Sequence, residues 1–170
     1  MLRHRTAQEL DAGVEEIRRS PKDSGILALI SRRPRVEERE ALQEAEISLT
    51  EGLVGDNWKT RGSSRTPDGC AHPDLQLTVM KSPVIALLAD APHWALAGDQ
   101  LFVDLDLSGK NLPPGTQLEL GEAVIEITPY PHAGCRKFAA RFGPHALEFV
   151  NSPLGKELQL RGVNAKVIRP

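Results

Sequence analysis

The sequence predicts a mixed α+β fold, mainly β, in which several helices pack on the sheet. Three observations carry this. From Leu101 to Thr128 the chain shows period-two alternation and hairpin signals, with a further strand pattern at Gly162 to Ile168. The first half interleaves short apolar runs with helices that have capping or proline starts. At 170 residues the chain can bury one sizeable core, while a second complete one is not expected.

Thr6-Ala-Gln-Glu9 has the capping-box pattern, and Leu10, Val14 and Ile17 follow on one helical face until Ser20-Pro21. Gly25 to Arg32 is apolar on both faces and reads as a strand buried on both sides. Residues 36 to 50 are Glu-rich, with a candidate strand at Ala45 to Leu49. Glu51 to Trp58 places two glycines around an apolar pair, and Lys59 to Pro73 reads as a long loop. Asp74 to Met80 is strand-like; Ser82, as N-cap before Pro83, starts a helix through Ala89, and a helical turn around Trp94 stops at Gly98. Leu101, Val103, Leu105 and Leu107 alternate as in a half-buried strand. Asn111 to Gly115 is a turn, and Thr116–Leu120 and Ala123–Thr128 form a hairpin about Gly121-Glu122. Arg136 to Phe142 is a short helix closed by Gly143 and Pro144, and a second runs from Pro144 to Asn151.

Composition narrows the function. A formal charge of −2 and 4% aromatic residues argue against a nucleic-acid partner, which would want a basic excess and stacking surfaces. The N-terminus has no apolar signal core, and no apolar run approaches a membrane span. Two cysteines, Cys70 and Cys135, make no disulfide framework in a domain this size, so a reducing cytoplasm is the expected compartment.

The chemistry points at Cys135. The strand ending at Thr128 runs into Pro129 and Pro131, which cannot donate to a sheet, so the cysteine sits between a strand edge and a helix start. Helix-start N–H groups, with Arg136, Lys137 and His132 close in sequence, favour the thiolate, the form that attacks electrophiles and binds metals. The competing reading is a small buried hydrophobe.

The series Gly52-Leu-Val-Gly-Asp56, then Gly115-x-x-Leu-x-Leu-Gly121, then Cys135-x-x-Phe138-x-x-Arg141-Phe-Gly143, then Arg161-Gly-Val-Asn-Ala165-Lys-Val resembles the MOSC family, named for the C-terminal domain of molybdenum cofactor sulfurase. The resemblance spans roughly residues 25 to 168, and its specificity lies in the order and spacing of all four pieces. It implies a β-barrel-like domain over 25–170, preceded by a helical extension at 1–24. It further implies that Cys135 is the catalytic residue, either as protein ligand to molybdenum in the reduction of N-hydroxylated compounds or as a persulfide carrier. The molybdenum cofactor (molybdopterin) carries a dithiolene and a phosphate, so cations should ring it. Arg61, Arg65, Arg136, Lys137, Arg141 and Arg161 are the candidates, with Arg61, Arg65 and Arg161 foremost because loops and strand entries can point inward. The implied partners are a small-molecule substrate and a separate redox or sulfur-donor protein. Pyridoxal phosphate is not expected, because the sulfurase's aminotransferase-like domain is absent. Two departures stand out: many members have Glu-Asn where this strand reads Phe102-Val103-Asp104, and members usually continue past Ala-x-Val, so a chain truncated after Pro170 is an expectation.

Two other readings compete. Cys70-Ala-His72 and His132-x-x-Cys135 could together close a structural zinc site. Alternatively the domain is a non-catalytic binding module, with Cys135 packed and the Arg-containing loop facing a partner.

Overall fold

The N-terminal capping box forms as its residues require. In the computed structural model, which describes residues 2–170, Glu9 donates its N–H to Thr6 Oγ1 at 3.2 Å and its carboxylate accepts the Thr6 N–H at 2.8 Å. The expected single helix is two, α1 (Ala7–Ala12) and α2 (Val14–Arg18). They break at Gly13, where a Cβ would meet Leu87 Cδ2 at 2.5 Å. Leu10 and Ile17 are buried, and the buried Lys81 ammonium donates to Ile17 O at 2.8 Å, satisfying a carbonyl at the end of α2.

The strands are β1 (Ile26–Arg32), β2 (Glu40–Leu42), β3 (Ile47–Ser48), β4 (Gly52–Leu53), β5 (Leu77–Lys81), β6 (Leu101–Asp104), β7 (Gln117–Leu120), β8 (Ala123–Ile127) and β9 (Val163–Arg169). The remaining helices are α3 (Trp58–Arg61), α4 (Ser82–Leu88), α5 (Arg136–Phe142), α6 (Pro144–Asn151) and α7 (Pro153–Glu157), with 3₁₀ segments at Pro73–Leu75 and Ala91–Ala97. Seven strands form one curled half-barrel sheet in the order β2-β1-β6-β5-β9-β8-β7, and β3 pairs with β4 separately. This is the expected α+β class. Neighbours are antiparallel except β5 and β6, which run parallel, so the chain between them must cross over. That crossover is α4 followed by the 3₁₀ segment, ending at Gly98 in the left-handed conformation.

Two cores explain the burial. Inside the curl lie Leu77, Val79, Leu101, Val103, Ile125, Ile127, Val163 and Val167; between the sheet and the helices lie Leu10, Ile17, Met80, Ile85, Phe102, Phe138, Phe142 and Val150. β6 therefore alternates between two apolar environments, with Phe102 as buried as its neighbours, and is not the half-buried strand expected. β1 departs the other way: Ile26 is 69% exposed, because β2 pairs only with Ile30 to Arg32 and leaves the first half of the strand uncovered on that edge. The expected strand at 45–49 is reduced to Ile47–Ser48, and β5 begins only at Leu77, after the 3₁₀ turn. Lys81 takes the N-cap position expected of Ser82, with no side-chain cap bond. The loop expected from Lys59 starts inside α3. The hairpin about Gly121-Glu122 and the helices at 136–142 and 144–151 form where expected. Among the described residues no helix is long and apolar enough to cross a membrane.

Candidate functional site

Cys135 occupies the N-cap position of α5 and is exposed. Its approach is fixed from α6: Asn151 accepts the Gly134 N–H through Oδ1 at 2.9 Å and donates its Nδ2 to Gly134 O at 3.1 Å. A Cβ on Gly134 would meet Leu147 at 2.8 Å and Val150 at 2.9 Å, so the chain before the cysteine lies tight on that helix.

The thiol opens onto a cavity of about 560 Å³. Two other clefts have volumes of 600 and 580 Å³, so size does not single it out. Its lining does: Arg33, Arg39, Arg61, Arg65, Lys137, Arg141 and Arg161 all face it, together with His132 and Cys135. Four of the expected arginines, Arg61, Arg65, Arg141 and Arg161, are thus brought together with Cys135. Arg136 is exposed and does not line the cavity.

Two buried carboxylates organise this wall of charge. Asp56 holds Arg33 in a fork, accepting Nε at 2.9 Å and Nη2 at 2.7 Å, and also accepts the backbone N–H groups of Arg33 and Trp58. Burial works against the Asp56 carboxylate, but the Arg33 hydrogen bond and charge outweigh it and hold its pKa below the ordinary value. Arg33 also donates Nη1 to Gly98 O at 3.0 Å, tying the end of β1 to the crossover. Asp99, with no exposed side chain, accepts Arg161 Nη1 at 2.6 Å and pairs with His132 Nε2 at 3.0 Å. Burial again opposes its ionisation, and Arg161 and His132 overcome it, so Asp99 is an anion at neutral pH. His132 Nε2 must then carry the proton, which leaves Nδ1 as an acceptor. Burial first and Arg161 second push the His132 pKa down against the pull of Asp99, so the ring is neutral near pH 7.

Charge is left over. Asp56 pairs with Arg33, Asp99 with Arg161, and Glu37 with both Lys137 and Arg141. Arg39, Arg61 and Arg65 have no carboxylate partner among the described residues. Burial, then Arg141 and Arg33, depress the pKa of Arg39; burial, then Arg33, do the same to Arg61. Arg39 Nε and Arg161 Nε are buried without a hydrogen-bond partner. Arg65 lies over the Tyr130 ring at 5.8 Å. A cavity rich in donors, with positive charge in excess of its carboxylates, is suited to an anion.

The zinc alternative finds no support in this arrangement. His72 Nδ1 accepts the Asp74 N–H and its Nε2 meets Tyr130 Oη at 2.8 Å, so both ring nitrogens are engaged. Among the described residues no group of three or more His, Cys, Asp or Glu side chains could hold a metal.

The two cysteines differ in surroundings. The Asp68 hydrogen bond and charge raise the pKa of Cys70, whereas Cys135 shares its cavity with seven cations. At pH 7.5 anionic iodoacetate is therefore expected to modify Cys135 before Cys70, with the preference reduced for neutral iodoacetamide. Peptide mass spectrometry over time checks this, and prior modification of Cys70 would contradict it.

Comparison places the fold. No family model matches the chain, and no curated protein sequence matches it. Solved structures do. A hypothetical protein matches with 22% identity and a TM-score of 0.54 over 84% of this chain, and YiiM from Escherichia coli with 20% identity and 0.54 over 85%. YuaD from Bacillus subtilis matches with 15% identity and 0.56 over 86%. The chain spans 60% of the hypothetical protein, 63% of YiiM and 91% of YuaD. At these identities the likeness is one of fold, and it agrees with a curled β-sheet core with helices packed on it.

Proposed function

We propose that this chain binds the molybdenum cofactor in the cation-lined cavity, with Cys135 Sγ as the protein ligand to the metal. The observation that carries the reading is a single cavity holding an exposed thiol and seven cations, three of them without carboxylate partners. The residues fit the group: a phosphate dianion suits forked guanidinium donors, and a soft metal suits a thiolate. Arg39, Arg61 and Arg65 would hold the phosphate, and the partnerless Nε of Arg161 supplies a further buried donor. His132, oriented by Asp99, leaves Nδ1 as a hydrogen-bond acceptor in the cavity that Cys135 lines.

When bound, the cofactor supplies two-electron oxygen-atom chemistry, which suits reduction of a small N-hydroxylated substrate with electrons from a separate redox protein. The chain's own part is to hold the pterin phosphate, fix Cys135 through Asn151 and keep His132 neutral. A persulfide carrier at Cys135 would also be consistent with an exposed thiol, but it would have no use for three unpaired arginines.

Protein purified from a host that makes the cofactor should contain close to one equivalent each of molybdenum, by elemental analysis, and pterin, by fluorescence. Cys135→Ala should lose most of the molybdenum, while the unfolding midpoints of the two apo proteins agree. A wild-type protein that contains neither metal nor pterin would overturn the reading.

A further inference from the structure

We propose that Glu37 is a resident counter-anion of the cavity, and that a dianionic phosphate or pyrophosphate group displaces it and takes over Lys137 and Arg141 as the mouth half of an anion site. This rests on the reading that the cavity receives an anionic ligand, and it adds a residue on the β1–β2 connection that competes with that ligand.

Three carboxylates offset the cavity's charge, and they are not equivalent. The side chains of Asp56 and Asp99 have no exposed surface and are fixed by several hydrogen bonds each. Glu37 is 64% exposed and touches only Arg141 Nη2 at 3.1 Å and Lys137 Nζ at 3.6 Å. Its backbone φ is +64°, a left-handed conformation unusual for a residue with a Cβ. The Arg141 hydrogen bond and charge hold the Glu37 pKa below its ordinary value, so it is ionised at neutral pH.

The cation it covers does not depend on it. Arg141 donates Nη1 to Leu96 O at 2.8 Å, so the guanidinium stays aimed when Glu37 leaves. Gly98 lies between two of the arginines: a Cβ built there would sit 3.8 Å from both Arg141 Nη1 and Arg39 Nη2. Arg39 has no carboxylate of its own. An anion over Gly98 would therefore meet one guanidinium with no carboxylate partner, held through Nη1 by Glu38 O at 2.6 Å, and one held by an exposed, salt-screened pair. A multiply charged oxyanion can engage both, and Lys137 as well, whereas the Glu37 carboxylate reaches only Arg141 and Lys137. Singly charged ligands gain less from the exchange, so the arrangement favours dianions.

The test is calorimetric titration of inorganic pyrophosphate into the purified chain, its Glu37→Gln variant and its Glu38→Gln variant. Glu38 pairs with the exposed Arg35 and touches neither Lys137 nor Arg141, so Glu38→Gln removes the same charge without the contact. Glu37→Gln should bind about two- to fivefold more tightly, the range set by the strength of an exposed ion pair, with Glu38→Gln unchanged. Adding Arg141→Gln to Glu37→Gln should abolish the gain. Wild-type binding with no gain in Glu37→Gln, or an equal gain in Glu38→Gln, overturns this inference alone. No binding by any of them overturns the anion-site reading itself.

Discussion

Replacing Asp99 by Ala is expected to lower the free energy of unfolding by about 3–5 kcal/mol, the cost of leaving a buried charge without its partner. Arg161 is 7% exposed and would retain one acceptor, Ala97 O at 3.0 Å, and its place 5.0 Å over the Phe138 ring. His132 would lose the bond that fixes its tautomer. Asp99→Asn should cost less, because the amide oxygen can still accept from Arg161 while its NH₂ forces the histidine to the other tautomer. Urea unfolding at pH 7 measures both variants, and a loss under 1 kcal/mol in Asp99→Ala would mean that solvent from the cavity takes the place of the carboxylate.

The same pair sets an acid limb. His132 is depressed below its ordinary 6.5, so the unfolded chain binds the proton first and stability falls as pH drops below that value toward the folded pKa. Asp99 is depressed below 3.8, so its contribution persists above that value and is lost only as pH falls further, through the folded pKa. His132→Gln should flatten the upper part of the pH–stability curve and leave the lower part in place.

Replacing Arg61 and Arg65 together by Ala is expected to weaken cofactor binding by about 2–4 kcal/mol, each charge-assisted contact contributing about 1–2. The two arginines line the cavity from α3 and the loop after it, far from Cys135 in the sequence. Neither has a carboxylate partner among the described residues, so removing them strands no buried anion. Loss of Arg61 also relieves Arg39 and Arg33 of a like charge. The apo protein should therefore keep its melting temperature while cofactor occupancy falls. Unchanged occupancy in the double variant would show that this side of the cavity takes no part in binding.

Much of this was legible in the sequence where local rules decide. The capping box at Thr6, the two-residue hairpin at Gly121-Glu122 and the Gly143-Pro144 stop are short-range chemistry, and each appears in the structure. Burial on one or two sides is not short-range: whether Ile26 and Phe102 are covered depends on the length of β2 and on helices from other parts of the chain. The site divides along the same line. Arg61, Arg65, Arg141 and Arg161 could be picked out because an anionic ligand needs cations. Arg33, Arg39 and Asp99 could not: the first two sit in a charge-rich stretch that reads as a solvated face, and Asp99 follows a helix-ending glycine and reads as turn. The available hint was the pairing of a lone Asp after Gly98 with a lone Arg before β9, and only the tertiary fold brings the two together.

The place of β9 in the sheet bears on how the protein is made. β9 lies between β5 and β8, and Arg161 stands at its entrance, where Gly162 at φ +103° lets the backbone pass against Val79 O. Until residues beyond 160 have left the ribosome, β5 and β8 each carry an open edge and Asp99 has no guanidinium to meet. The interval between the synthesis of β5 and that of β9 is some eighty residues, or roughly 4–16 s at ordinary elongation rates. During that time the cavity lacks Arg161 and Asn164, so a ligand can be held only after β9 has joined the sheet, and the open edges expose the nascent chain to aggregation.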